Sequence, residues 1–350
     1  SWGFIMSEFK VNTITNRDGS YGPQVCGITT FGSSGMQLPS GPTEMRGGRN
    51  RGVHGGGRVS PGSTNSNIID FITISTLGDA LDFGDLTEAR HQVGACGGYT
   101  RGHFNGGNPN TDRMDYVVFS SKGGASDWGD LSVARSTYAS TSNGRRGLIY
   151  GGTPPSNNNT IEFFSMATQG SASDFGDQIY NQREQGCLEN NIRSVVAGGW
   201  GDPNAPFQGN SAPIRFISFN LFETLGNTVH FGDLNNSVYG VMGAASETRG
   251  LFAGGWKPTS PNQINVIDYI TIATEGNALD FGDTTSVRHS GGGTSNTVRG
   301  IFSGGYNPSL LATIDYVTIS TLGNANDFGD LTAARYGGRM CSDCHGGLAQ

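Results

Sequence analysis

The chain has little charge. Only 15% of its 350 residues are Asp, Glu, Lys or Arg, and their balance is acidic at −7, so neither nucleic acid nor an anionic membrane surface is expected as a general partner. No run of about 18 apolar residues occurs, which argues against a helical membrane span. The start Ser1-Trp-Gly-Phe-Ile-Met6 lacks the basic stretch and apolar core of an export signal. Cysteine is scarce as well: Cys26, Cys96, Cys187, Cys341 and Cys344 are odd in number and too thinly spread for a disulfide scaffold, so reduced thiols are expected. Sustained helical periodicity is missing throughout.

Glycine is abundant, at 57 residues. There is no collagen-like triplet, and the glycines fall in fixed slots of a repeat, so they mark turns rather than disorder. An acidic turn around an aromatic occurs six times, at Asp82-Phe83-Gly84-Asp85, Asp127-Trp128-Gly129-Asp130, Asp174-Phe175-Gly176-Asp177, His230-Phe231-Gly232-Asp233, Asp280-Phe281-Gly282-Asp283 and Asp327-Phe328-Gly329-Asp330. An arginine leads a short apolar strand into Gly-Gly six times too, from Arg51, Arg101, Arg146, Arg193, Arg249 and Arg299. The period of ~45 to 56 residues is that of propeller blades. Each unit reads as four short strands: the arginine strand, a strand rich in branched and aromatic residues such as Ile314-Asp-Tyr-Val-Thr-Ile319, the acidic turn, and a polar Gly/Ser-rich strand. The expected fold is all-β, a six-bladed propeller over residues 46–350 behind a short extended arm, residues 1–45. Its seam is expected between residues ~46 to 57 and ~335 to 348.

The strand ending in Gly-Gly-aromatic resembles the kelch repeat of the galactose oxidase central domain. The recurring text, as in Ile267-Asp-Tyr-Ile-Thr-Ile-Ala-Thr-Glu-Gly-Asn-Ala-Leu-Asp-Phe-Gly-Asp283, is similar to repeats in structural proteins of marine tailed phages, particularly those infecting cyanobacteria. The segment Phe9 to Phe31 is similar to the entry segment of such virion proteins. The acidic turn resembles the aspartate box of sialidase propellers, without the tryptophan and threonine that usually follow. The resemblance implies a non-enzymatic virion component at the particle surface, of tail, fibre or capsid, made in the host cytoplasm. Residues 1–45 would join it to another structural protein, and the propeller would attach to a host-surface glycan or protein, alone or as a homo-oligomer. A carbohydrate-active propeller enzyme and a cellular interaction propeller are the opposing readings.

Comparing the six copies separates structure from function. Five units carry an acid at the start of the second strand (Asp70, Asp115, Glu162, Asp268, Asp315), and five carry an arginine after the turn (Arg90, Arg135, Arg183, Arg288, Arg335). In the fourth unit these slots read Arg215 and Val238, and the first turn aspartate, Asp82 in the first unit, becomes His230. Slots that change together point to one structural charge network, since losing one member would leave another buried and unpaired.

Cys341-Ser-Asp-Cys-His345 matches a c-type haem attachment motif. It sits where a blade strand is required, and one short cluster supplies too few ligands for a closed zinc site, so no cofactor and no metal are expected. No catalytic residues are assigned. Candidate binding residues are the aromatics in the loops after Gly-Gly: Trp200, Phe207, Trp256 and Tyr306. Packing of each over its own blade is the alternative.

Overall fold

Branched and aromatic residues over Ile68–Thr73, Val266–Thr271 and Thr313–Thr318 form strands because such side chains fit a pleated surface. A computed structural model describes residues 50–59, 64–153, 158–201 and 212–348. The expected arm over residues 1–45, and Phe207, lie outside them. The described residues are all-β, without a helix, so no helix is long and apolar enough to cross a membrane.

Antiparallel strands group into six principal sheets, numbered here in chain order. Sheet I comprises Arg339–Ser342, Arg51–Gly55, Ile68–Thr73 and Leu81–Asp85. Sheet II comprises Gly94–Gly97, Arg101–Asn105, Thr111–Val118 and Ser126–Arg135. Sheet III is Ala139–Ser142, Arg146–Tyr150, Asn158–Ser165 and Ser173–Arg183, extended by Trp200–Gly201 and Ala212–Pro213. Sheet IV is Gly186–Glu189, Arg193–Ala197, Phe216–Leu221 and Val229–Asp233. Met242–Ala245, Arg249–Ala253, Val266–Thr271 and Leu279–Asp283 make sheet V; Gly292–Ser295, Arg299–Ser303, Thr313–Thr318 and Asn326–Asp330 make sheet VI. Sheet I joins distant parts of the chain, with Gly52 opposite Ser342 and Gly55 opposite Arg339.

The acidic aromatic segment, expected as a turn, is a bulged strand. In sheet I, Ile69 pairs with Gly84 and Asp70 with Asp82, leaving Phe83 as the extra residue; all six sheets repeat this register. A bulge re-aims one side chain, and here it turns Phe83, Trp128, Phe175, Phe231, Phe281 and Phe328 inward, each at most 3% exposed. Each meets a third-strand ring edge-on, as Phe83 does Phe71 at 6.0 Å. The leading arginine lies over these rings, for example Arg193 at 4.4 Å from the Phe219 centroid. Glycine follows the aromatic because the backbone requires it: Gly84 has φ +149°, and a Cβ would stand 2.4 Å from the Gly123 carbonyl oxygen beside sheet II.

The described residues do not share a single core. Six apolar cores lie between consecutive sheets, from Phe83 with Phe104 between I and II round to Ile301 and Phe328 with Ile72 and Met340 between VI and I. Leading arginines bridge the same junctions: Arg193 donates to Ile272 O, Arg249 to Ile319 O and Arg299 of sheet VI to Ile74 O beside sheet I. The first strands approach so closely that a Cβ on Gly243 would lie 1.8 Å from the Cys187 carbonyl oxygen. Polar, glycine-rich text at this position follows from that crowding.

A circuit of backbone hydrogen bonds links all six junctions. Gln92 N donates to Gly337 O, Gly337 N to Ser290 O, Ser290 N to Gly240 O, Gly240 N to Glu184 O, Glu184 N to Thr137 O and Thr137 N to Gln92 O, at 2.5–3.1 Å. All six residues hold φ between +55° and +70°, although four are not glycine. That conformation is costly for side chains other than glycine.

At the opposite ends of the first strands, the segment after Ser342 crosses between the sheets. His345 sits against the Gly97 carbonyl and Glu189, and a Cβ on Gly346 or Gly347 would fall within 2.6 Å of the carbonyl oxygens of Ser246 or Ser142. Cys341 packs in the core between I and II and Cys344 in the core between VI and I, with both thiols pushed well up by burial. The haem-like spelling therefore belongs to a packed strand and crossing segment. Among the described residues no group of three His, Cys, Asp or Glu is placed to hold a metal ion.

His103 in sheet II is fully buried, with Trp128 at 4.6 Å and Phe164 at 5.1 Å. Burial, then the Arg101 charge, drive its pKa down to about 3. The unfolded chain takes up this proton near pH 6.5 and the folded chain does not, so its contribution is present above pH 6.5 and is lost as pH falls toward 3. We expect His103→Phe to lose about 2 kcal/mol less stability than the parent between pH 7 and 4.5, read from urea midpoints at the two pH values.

Candidate functional site

Two sets of residues were singled out by sequence, and the structure treats them differently. Four of the charge pairs meet inside the protein. Arg90 reaches Asp115 at 2.8 Å and Arg288 reaches Asp315 at 3.0 Å; Arg135 pairs with Glu162, and Arg335 with Asp70. All eight side chains are at most 2% exposed. Each pair links the end of a sheet's fourth strand, or the connector after it, to the third strand of the following sheet, so it spans a junction rather than a single unit. Every acid also caps the connector ahead of it, as Asp115 does Thr87 and Asp70 does Thr332.

The remaining assignments need correction. Asp82 is exposed, because the bulge separates its orientation from that of the buried aromatic beside it. Arg183 is one residue past its expected slot. The slot residue's carbonyl accepts the amide of the second Gly-Gly glycine, and that acceptor is Gln182 in the third unit, as it is Arg90, Arg135, Val238, Arg288 and Arg335 elsewhere. Arg183 instead stands 3.7 Å from Glu184. The acid slot of the fourth unit is Ser218, which pairs with His230 as Asp70 does with Asp82; Arg215 lies outside it, exposed, 3.5 Å from Asp233. The III–IV junction thus carries Gln182 and Ser218, a neutral exchange of both partners. The IV–V junction keeps Asp268 opposite Val238, with Asn235 N at 3.0 Å and Nδ2 at 2.7 Å in place of the guanidinium. Burial pushes Asp268 up from the ordinary carboxylate range, against those two hydrogen bonds.

Trp200, Trp256 and Tyr306 lie on the face bearing the backbone circuit. The residue before each circuit member pairs across its junction with the residue after Gly-Gly: His91 with Asn108, Ser136 with Thr153, Arg183 with Trp200, Tyr239 with Trp256, His289 with Tyr306 and Tyr336 with Arg58. Trp200, Trp256 and Tyr306 are brought into one system, joined by Tyr239, His289, Tyr336 and His91, which the sequence reading missed. Ring centroids run from Trp200 to Tyr239 (5.3 Å), Trp256 to Tyr239 (5.2 Å), Tyr239 to His289 (5.9 Å), His289 to Tyr306 (5.7 Å), Tyr306 to Tyr336 (5.9 Å) and Tyr336 to His91 (6.1 Å). All but buried His91 are half-buried. Instead of packing only over their own sheets, the rings form an arc across five junctions, with Ser136 and Thr153 as the gap.

Charge along the arc is sparse. Burial lowers His289 to about 4 and, with the Arg58 charge, lowers His91, so both imidazoles are neutral at pH 7. Burial raises Glu184 against the opposing charges of Arg183 and Arg339, and raises the Tyr239 hydroxyl with help from Glu184. Neutral, amphipathic ring faces of this kind accept the C–H surface of a sugar or an aromatic side chain. The sequence matches no protein-family model and no curated protein.

Proposed function

We propose that the chain is a six-bladed, kelch-like β-propeller acting as a non-enzymatic glycan-binding component of a tailed-phage particle. Six cores between consecutive sheets, with the sixth between VI and I, support the ring. Virion origin, and attachment through residues 1–45, rest on the resemblance of the repeats and leader. The observation that carries the binding role is the ring arc from Trp200 to His91. Periodic residues hold the junctions together, whereas the arc occupies a repeated position whose identity changes from unit to unit. Such a surface gives stacking worth about 1 kcal/mol per ring, enough in series for micromolar to millimolar affinity.

A panel of surface oligosaccharides titrated against the purified chain, read by tryptophan fluorescence, tests this. We expect saturable binding and a loss of about tenfold or more in Trp256→Ala, with unchanged melting. Absence of binding across the panel contradicts the glycan reading; cleavage of a bound polysaccharide contradicts the non-enzymatic one.

A further inference from the structure

One end of the arc holds a cation that no described residue neutralises. Arg58 donates from Nη1 to the Tyr336 hydroxyl at 3.3 Å, while its buried Nε has no partner. Among the described residues no carboxylate pairs with Arg58. Beside it, His91 is 4% exposed and also keeps Nδ1 without a partner among the described residues, while its backbone N donates to the Asn108 carbonyl at 3.1 Å. Buried donors and acceptors are normally satisfied, and exceptions call for an explanation such as a missing ligand. Arg183, near Trp200 at the other end, differs because Glu184 accompanies it.

We propose that Arg58, His91 and Tyr336 form an anion subsite for the carboxylate or sulfate of an acidic sugar whose neighbouring rings lie along Tyr306 and Tyr336. The assignment rests on the glycan-binding reading and adds the class of glycan. The Nη–H groups of a guanidinium offer themselves to two oxygens of one anion, and the buried Nε of Arg58 and Nδ1 of His91 are reached as the ligand seats between the two side chains. Overall charge of −7 gives no long-range attraction for such a ligand, so the preference must come from this contact.

Matched oligosaccharide pairs titrated against the full chain separate the two levels: uronates against their methyl esters, and sulfated sugars against their desulfated forms. We expect an acidic member to bind at least about tenfold more tightly than its neutral counterpart. Arg58→Gln should abolish that difference, Arg58→Lys should restore part of it, and Arg183→Gln should leave it in place. Equal binding within every pair, or a preference that survives Arg58→Gln, overturns the subsite while leaving the glycan reading intact. Binding by no member of any pair overturns both.

Discussion

Asp315→Asn is expected to lower the unfolding free energy by about 3–5 kcal/mol, while Asp268→Asn changes it by no more than about 1 kcal/mol. Both residues occupy the same slot and both are buried. At Asp315 the carboxylate accepts from Arg288 Nη2, Thr285 N and Thr285 Oγ1. Neutralising it leaves a guanidinium with no exposed surface and no counter-charge. At Asp268 no arginine waits, since Val238 fills that position, and burial already disfavours the charged form. Asparagine there removes a charge the protein holds at a cost. The sign with pH follows: because its folded pKa is raised, the Asp268 contribution is present at acid pH and is lost as pH rises from the ordinary value near 3.8. Denaturant midpoints for the two variants and the parent at pH 7 check both statements. Equal losses at the two sites would mean that the arginine is not what makes the pair matter.

Removing residues 339–348 is expected to abolish cooperative unfolding altogether. Arg339–Ser342 is the first strand of sheet I, paired along Arg51–Gly55. Met340 and Cys341 fill the cores on either side of that sheet, and Leu348, fully buried, packs near Gly144 and Tyr99. Without them Arg51–Gly55 becomes an unpaired edge between two opened cores, the arrangement that drives aggregation. Leu348→Ala is a graded control, expected to cost about 2–5 kcal/mol with cooperativity retained. Circular dichroism melts distinguish the cases: a sharp transition in the truncated chain would show that sheet I does not depend on this strand.

The repeat was legible because each junction reuses the same physical parts: a guanidinium, a buried aromatic and a glycine where the backbone bulges. Two slot errors arose from matching residue type rather than position. The connector residue lies seven places after the buried aromatic, Phe83 to Arg90 and Phe175 to Gln182, so counting identifies Gln182 where charge alone suggested Arg183. The acid lies thirteen places before it, Asp70 to Phe83 and Ser218 to Phe231. The bulge was not legible as such, since Asp-Phe-Gly-Asp spells a turn locally and becomes a strand only beside its neighbour. Of the candidate binding face, Trp200, Trp256 and Tyr306 were visible as loop aromatics. Tyr239, His289, Tyr336 and His91 were hidden because contact between them depends on sheets that the sequence keeps some fifty residues apart. Their signal is a fixed position just after the connector slot, occupied in turn by His, Ser, Arg, Tyr, His and Tyr.

The most direct measurement is an experimental density map of the full chain with a saturating oligosaccharide. The account predicts six sheets around one axis, with sugar density lying on Trp256, Tyr239 and Tyr306 beside the Gln92–Gly337 hydrogen-bond circuit. Density bound elsewhere, for instance against Ser246 and Thr297 on the surface between sheets V and VI, or a chain whose sheet VI does not meet sheet I, would contradict it.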